Sequence, residues 1–186
     1  DEVVFTSDYP LNNKSLLDQK KHKNFIFFLD FENSPTGVYN ENHFFVDWNH
    51  PQWSQVKTYG GVGIDENNGA LYGKSLRVFY PKGKSGPWKS GAQWKLRLDS
   101  KYNELFCAYD VKFQKGFDFI LGGKLPGLAG GKANTGGNRP NGIDGWSARM
   151  MWRRTGGIFQ YLYYPDHRIK YGDSIPWKKN FWVFYS

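Results

Sequence analysis

Gly145-Trp146-Ser147-Ala148-Arg149-Met150-Met151-Trp152-Arg153 alternates with the period of a β-strand. Trp146, Ala148, Met150 and Trp152 fall on one side, and Ser147, Arg149, Met151 and Arg153 on the other. The second side is too polar for a core, so it faces a groove or solvent. After Arg154-Thr155-Gly156-Gly157 comes a second run, Ile158-Phe159-Gln160-Tyr161-Leu162-Tyr163, with aromatic rings at its odd positions. A three-residue connection, Arg154-Thr155-Gly156, with Gly156 in the left-handed conformation, makes a favoured hairpin. It sets Arg153 opposite Gly157, Met151 opposite Phe159, Arg149 opposite Tyr161 and Ser147 opposite Tyr163. A connection of two or four residues slips the register by one and separates Arg149 from the tyrosines.

Outward from this hairpin, short aromatic and β-branched runs recur at 25–30, 75–80, 92–99, 104–114, 117–121 and 181–185. Turn-forming stretches separate them: Pro81-Lys82-Gly83-Lys84-Ser85-Gly86-Pro87, Lys115-Gly116, and a long loop from Gly127 to Gly145. This punctuation predicts an all-β fold, a two-sheet antiparallel sandwich of the jelly-roll kind with a concave groove. No strand–helix alternation appears, and Gly60-Gly61-Val62-Gly63 lacks the Lys-Ser/Thr tail of a phosphate loop. Residues 8–24 read as a polar loop or short helix, so 1–24 is an N-terminal arm on a single domain spanning 1–186. The apolar run 181–185 makes a poor free edge, which predicts further strands beyond it.

Most of the aromatic residues read as core, and the surplus of Trp and Tyr also fits sugar binding. Aromatic residues make up 19% of the chain, with 8 Trp and 12 Tyr, and flat rings with a polar edge pack well on pyranose faces. The net charge of +8 favours a polyanionic partner: nucleic acid, anionic membrane or acidic polysaccharide. Cys107 is the one cysteine, which excludes an intrachain disulfide and a thiolate zinc site, and its apolar setting predicts an inert buried thiol. No apolar run approaches the ~18 residues that a membrane helix needs. The start at Asp1 fits a processed mature protein or simply a trimmed chain, and Asn13-Lys14-Ser15 is a weak glycosylation signal.

The hairpin patch has a use in acid–base chemistry. β-Elimination from a 4-linked uronate needs a cation to neutralise the carboxylate while the C5 proton leaves. Arg149 or Lys124 can supply that cation. A tyrosine beside a cation becomes more acidic and can take the proton or donate one to O4. Without the rest of the fold, the same patch also fits a polar sheet face on which Arg stacks over Tyr.

Three motifs narrow the choice: Gly123-Lys124-Leu125-Pro126-Gly127-Leu128-Ala129-Gly130-Gly131, then Trp146 to Arg153, then Tyr161-Leu162-Tyr163. In this order they closely resemble the alginate lyases of polysaccharide lyase family 14. The resemblance extends more weakly to Ser75-Leu76-Arg77-Val78, Pro81-Lys82-Gly83 and Ser90-Gly91-Ala92-Gln93, covering roughly residues 70–165. It implies a β-jelly-roll enzyme whose activity depends on Lys124, Ser147, Arg149, Tyr161 and Tyr163. It also implies a domain that continues past this chain's end. Ala129 stands where the family often has an aromatic residue, Ala148 where a threonine is common, and a family cysteine near Gly145 has no counterpart. These departures bear on groove shape and therefore on which uronate is preferred.

The reading is therefore a secreted, monomeric lyase acting on an acidic polysaccharide, alginate first and glucuronan next, with no cofactor or metal, no nucleic acid and no membrane. Lys124 and Arg149 take the carboxylate, Tyr161 or Tyr163 act as base and acid, and Ser147 orients the substrate or a tyrosine. Gln93, Arg77, Arg153 and His167 are the candidates for further substrate contacts, and Lys95, Arg154 and Arg168 are weaker ones. His43, Asp47 and His50 are scattered and read as structural. Two other classes stay open: a non-catalytic module binding acidic glycans, and a nucleic-acid binder whose affinity would fall steeply with salt.

Overall fold

The computed structural model describes residues 25–56, 61–67, 70, 73–86 and 88–176. The arm 1–24, Asn13 and the run 181–185 lie outside these residues. Among the described residues the chain is mostly β, in three antiparallel sheets with one short α-helix. No described helix is long and apolar enough to cross a membrane.

The first half builds a core of its own. β1 (Gly37–Val38), β3 (Val62–Glu66) and β4 (Lys74–Val78) form one sheet in the order β1-β3-β4, and β2 (Trp53–Gln55) pairs with β5 (Gln93–Lys95). The helix α1 (Glu41–Asp47) starts where the Asn40 side chain accepts the His43 N–H at 3.0 Å, with Glu41 in its first turn. Tyr39, Phe44, Val62 and Ile64 are buried here, with Trp48, Leu76 and Trp94 packed around them. Asp47 accepts from both Ser34 and Tyr39 hydroxyls, so it belongs to this core's polar bracing.

The second half carries β6 (Gly123–Gly131), β7 (Gly145–Trp152), β8 (Ile158–Tyr163) and β9 (Asp173–Pro176), in that order in one sheet. The sequence expects strands at 145–153 and 158–164, and both form to within a residue. One face of this sheet is the core: Met150, Trp152 and Ile158 are buried with Phe113 under Tyr109, Val111, Phe117 and Phe119. Tyr80 sets its ring edge-on to Trp152 at 5.5 Å, joining the two halves.

Several expected strands are absent. The runs 104–114 and 117–121 join no ladder, apart from an isolated bridge at Lys112. Phe113, Phe117 and Phe119 pack ring on ring there, at 4.9 to 5.0 Å, and this burial, not strand pairing, explains their apolar pattern. The run 25–30 is likewise irregular, with Phe27 stacked on Trp48 at 5.6 Å. The run 92–99 shortens to Gln93–Lys95, and 75–80 becomes Lys74–Val78. The expected loop 127–145 begins only after Gly131, because Gly127–Gly131 belong to β6. Cys107 is half-buried, and burial pushes its thiol pKa up, in keeping with an inert group.

The β7–β8 connection is the three-residue Arg154-Thr155-Gly156, closed by Arg153 N–H to Gly157 O at 2.8 Å. Gly156 has φ +81°, but Thr155 is also left-handed, at φ +75°. A β-branched residue there is strained by about 1 kcal/mol, whereas Asn tolerates the conformation. Thr155→Asn should therefore raise the thermal unfolding midpoint by a few degrees; an unchanged or lower midpoint would mean the turn stores no strain.

Candidate active site

The face of the β6–β9 sheet turned away from the core gathers the polar residues. Ser147 lies opposite Tyr163, Arg149 opposite Tyr161 and Met151 opposite Phe159, the register expected from the sequence. Tyr161 in turn lies opposite Ser174 of β9.

Lys124 reaches this face through an irregularity in β6. Lys124 pairs with Met151, but Gly127 pairs with Arg149, so one extra residue is inserted between them. Simple alternation would put Lys124 and Ala129 on opposite faces; the bulge reverses the parity and brings both to the same side. Pro126 sits in the bulge, where its missing N–H breaks no ladder, and its carbonyl accepts the Tyr109 hydroxyl at 3.0 Å. Gly127 is required just beyond, since a Cβ there would overlap Ala148 O and the Arg149 backbone.

The side chains converge closely. The Lys124 amine stands 4.0 Å above the Tyr161 ring centroid and 4.0 Å from Met151 Sδ. The Arg149 guanidinium lies 5.5 Å from the same centroid. Tyr161 and Tyr163 share a hydrogen bond at 3.2 Å and cross their rings at right angles. Exposure separates them into two tiers. Lys124 is exposed and Arg149 half-buried, while Tyr161 is 6% exposed and Tyr163 1%.

Electrostatics sharpens that division. Partial burial against the ring, then the charges of Arg149 and Arg153, bring the Lys124 pKa down to about 8. Burial also lowers the Arg149 pKa, against the opposing pull of the two phenols. Tyr161 is pushed up to about 12 by burial and by its bond to Tyr163. Burial raises Tyr163 too, but the hydrogen bond from Tyr161, the N–H groups of Gly137 and Gly172, and Arg149 outweigh it, so its pKa is lowered. Two phenols side by side are thus driven apart in acidity.

The remaining candidates are more scattered. Ser147 is 1% exposed and gives its hydroxyl to Asn134 O at 2.7 Å, so it braces a loop below the surface. Arg153 reaches Ser174 Oγ at 2.8 Å on the exposed rim of the same face. His167 is 1% exposed: its ring stands edge-on to Tyr163 at 5.3 Å and its Nδ1 meets Ile169 O at 2.6 Å. That places it behind the tyrosine, not on an outer surface. Arg77 lies in β4, ion-paired with Asp65 at 2.9 Å across the β3–β4 ladder, and Gln93 lies in β5. The structure does not bond either of them to the four-stranded sheet among the described residues. Sequence reasoning missed Gly137, Asn134 and Asp144, although a loop dense in Asn, Asp and Gly is a signal for side-chain-braced turns. Among the described residues no cluster of three or more His, Cys, Asp or Glu is placed to hold a metal ion.

The sheet and its polar face define an antiparallel β protein with a candidate acid–base site, and similarity to known proteins narrows the class to a family. The polysaccharide lyase 14 family profile matches residues 69–180, and the chain belongs to that family. No curated protein matches the sequence. Among solved structures it is similar to alginate lyase Aly36B, with a TM-score of 0.57 and 25% identity over 80% of this chain. A double mutant of Aly36B in complex with alginate tetrasaccharide superposes with a TM-score of 0.62 at 24% identity. A marine PL-14 alginate lyase from Aplysia kurodai gives 0.53 at 23%. The chain spans 58% of the length of Aly36B and 65% of the Aplysia kurodai enzyme.

Proposed function

We propose that this protein is a polysaccharide lyase that cleaves a 4-linked uronic-acid polymer, alginate first and glucuronan next, by β-elimination. The observation that carries the reading is the convergence of Lys124, Arg149, Tyr161 and Tyr163 on one sheet face, with the Lys124 amine 4.0 Å above the Tyr161 ring. Family membership and the alginate bound to an Aly36B mutant support it. The secreted state, the monomer and the closing of these sheets into a complete jelly roll belong to the same reading.

The two tiers suggest how the labour divides. Sequence reasoning gives proton transfer to the tyrosines, but their burial favours the exposed Lys124. Arg149 neutralises the C6 carboxylate, which makes the C5 proton more acidic. The neutral Lys124 amine takes that proton; the C5–H electrons form the C4=C5 double bond as the C4–O4 bond breaks. The lysine ammonium then returns a proton to O4. Tyr161, kept protonated, forms the platform under Lys124 and Arg149, and Tyr163 holds it from behind. No step in this sequence calls for a metal or cofactor.

Incubating the chain with alginate, polyglucuronate and a neutral glucan tests the proposal. The uronans should gain the ultraviolet absorbance of a conjugated 4,5-unsaturated uronate, and the glucan should not. A protein that binds uronans tightly while no product ever appears would instead be a glycan-binding module.

A further inference from the structure

The loop between β6 and β7, residues 132–144, is tied into a compact knot. Asp144 is its centre: its carboxylate accepts the Asn141 N–H at 2.9 Å and the Asn134 side-chain amide at 3.2 Å, with Lys132 at 3.8 Å. Asn141 answers by accepting the N–H groups of Ile143 and Asp144 at 3.1 and 3.0 Å. From beneath, the buried Ser147 hydroxyl is bonded to Asn134 O at 2.7 Å. At the far end of the loop Gly136 and Gly137 both have positive φ, +66° and +90°. That backbone turn directs the Gly137 N–H onto the Tyr163 phenolic oxygen at 3.0 Å.

We propose that Asp144, Asn134 and Ser147 are positioning residues, which lock the 132–144 loop so that the Gly137 N–H is held on Tyr163. The consequence for turnover rests on the function proposed above, but the clasp itself does not. Ser147 then acts through Asn134 and the loop, without touching a substrate. The Tyr163 oxygen becomes a point on which donors converge: the Gly137 N–H and the Tyr161 hydroxyl. Arg149 and the His167 ring are the other groups facing it. With Tyr163 fixed, Tyr161 is fixed, and so is the surface on which Lys124 and Arg149 rest.

Two measurements decide this without relying on activity. Tyr163→Phe keeps the ring and removes the acceptor, so amide exchange at Gly137 should be slow in the wild type and at least about tenfold faster in the variant. Rapid Gly137 exchange in the wild type, or an unchanged rate in Tyr163→Phe, would overturn the clasp. The second follows the Tyr163 titration by NMR of ring-labelled tyrosine in wild type and Asp144→Ala. Loosening the clasp removes a donor and should raise the midpoint by about one pH unit, whereas simple loss of a negative charge would lower it. A midpoint that stays or falls contradicts the proposal. On an active substrate the same variant should lose roughly tenfold in kcat with KM within about twofold, as for an effect on positioning. If Asp144→Ala does not fold, Ser147→Ala, which removes the hydroxyl bonded to Asn134 O, should speed Gly137 exchange by about tenfold, and an unchanged rate would overturn the positioning role.

Discussion

Lys124→Met is expected to lower kcat/KM on a uronan by roughly 10³-fold, the span of a lost general base. Methionine preserves the length of the stem over the Tyr161 ring, so the melting temperature should stay close to wild type. The free amine is the working form, and its pKa lies at about 8. The acid limb of the wild-type kcat/KM profile should therefore rise through pH 8 and level off above it. The sign follows from the cause: burial and the charges of Arg149 and Arg153 disfavour the ammonium, so the proton leaves at lower pH than from a free lysine. If Tyr163 were the base instead, Lys124→Met would keep much of its rate and the limb would be little altered.

Arg149→Met should cost about 10²–10³-fold in kcat, because it removes the cation that faces the carboxylate as negative charge develops at C5. Its effect on stability should be small, within about 1 kcal/mol. The Arg149 Nε is buried with no hydrogen-bond partner among the described residues, so removing it costs no bond at that atom. Arg149→Lys should recover only part of the loss, since a point charge on a flexible stem cannot reproduce the planar guanidinium. Kinetics on one uronan, with a thermal melt for each variant, separates the two roles. A large fall in Tm with unchanged kcat per folded molecule would make Arg149 a structural residue.

Much of this face was legible because strands have a period of two. Once Gly156 fixed the length of the β7–β8 connection, the pairing of Ser147 with Tyr163 and of Arg149 with Tyr161 followed from counting. The same counting fails at Lys124. A bulge inserts a residue that leaves no periodic trace, and a stretch rich in Gly and Pro reads as loop, although β6 needs Gly127 to approach β7. The runs 104–114 and 117–121 mislead for the opposite reason: apolar residues alternate like a strand at Tyr109, Val111 and Phe113 and again at Phe117 and Phe119, yet Phe113 packs on Phe117 and Phe119 without a ladder. Burial was the least visible property. His167 and Ser147 look like surface polar residues in the sequence, and only the packing of the 132–144 loop and the residues after Tyr163 shows that they lie beneath it.

The central claim is that this face performs an elimination. Its most direct test is mass spectrometry of the products formed from polymannuronate, polyguluronate and polyglucuronate by wild type and by Lys124→Met. The wild type should give oligosaccharides one water lighter than hydrolysis would yield, on at least one of the three polymers, and Lys124→Met should give almost none. Hydrated products, or no cleavage of any uronan by the wild type, would contradict it.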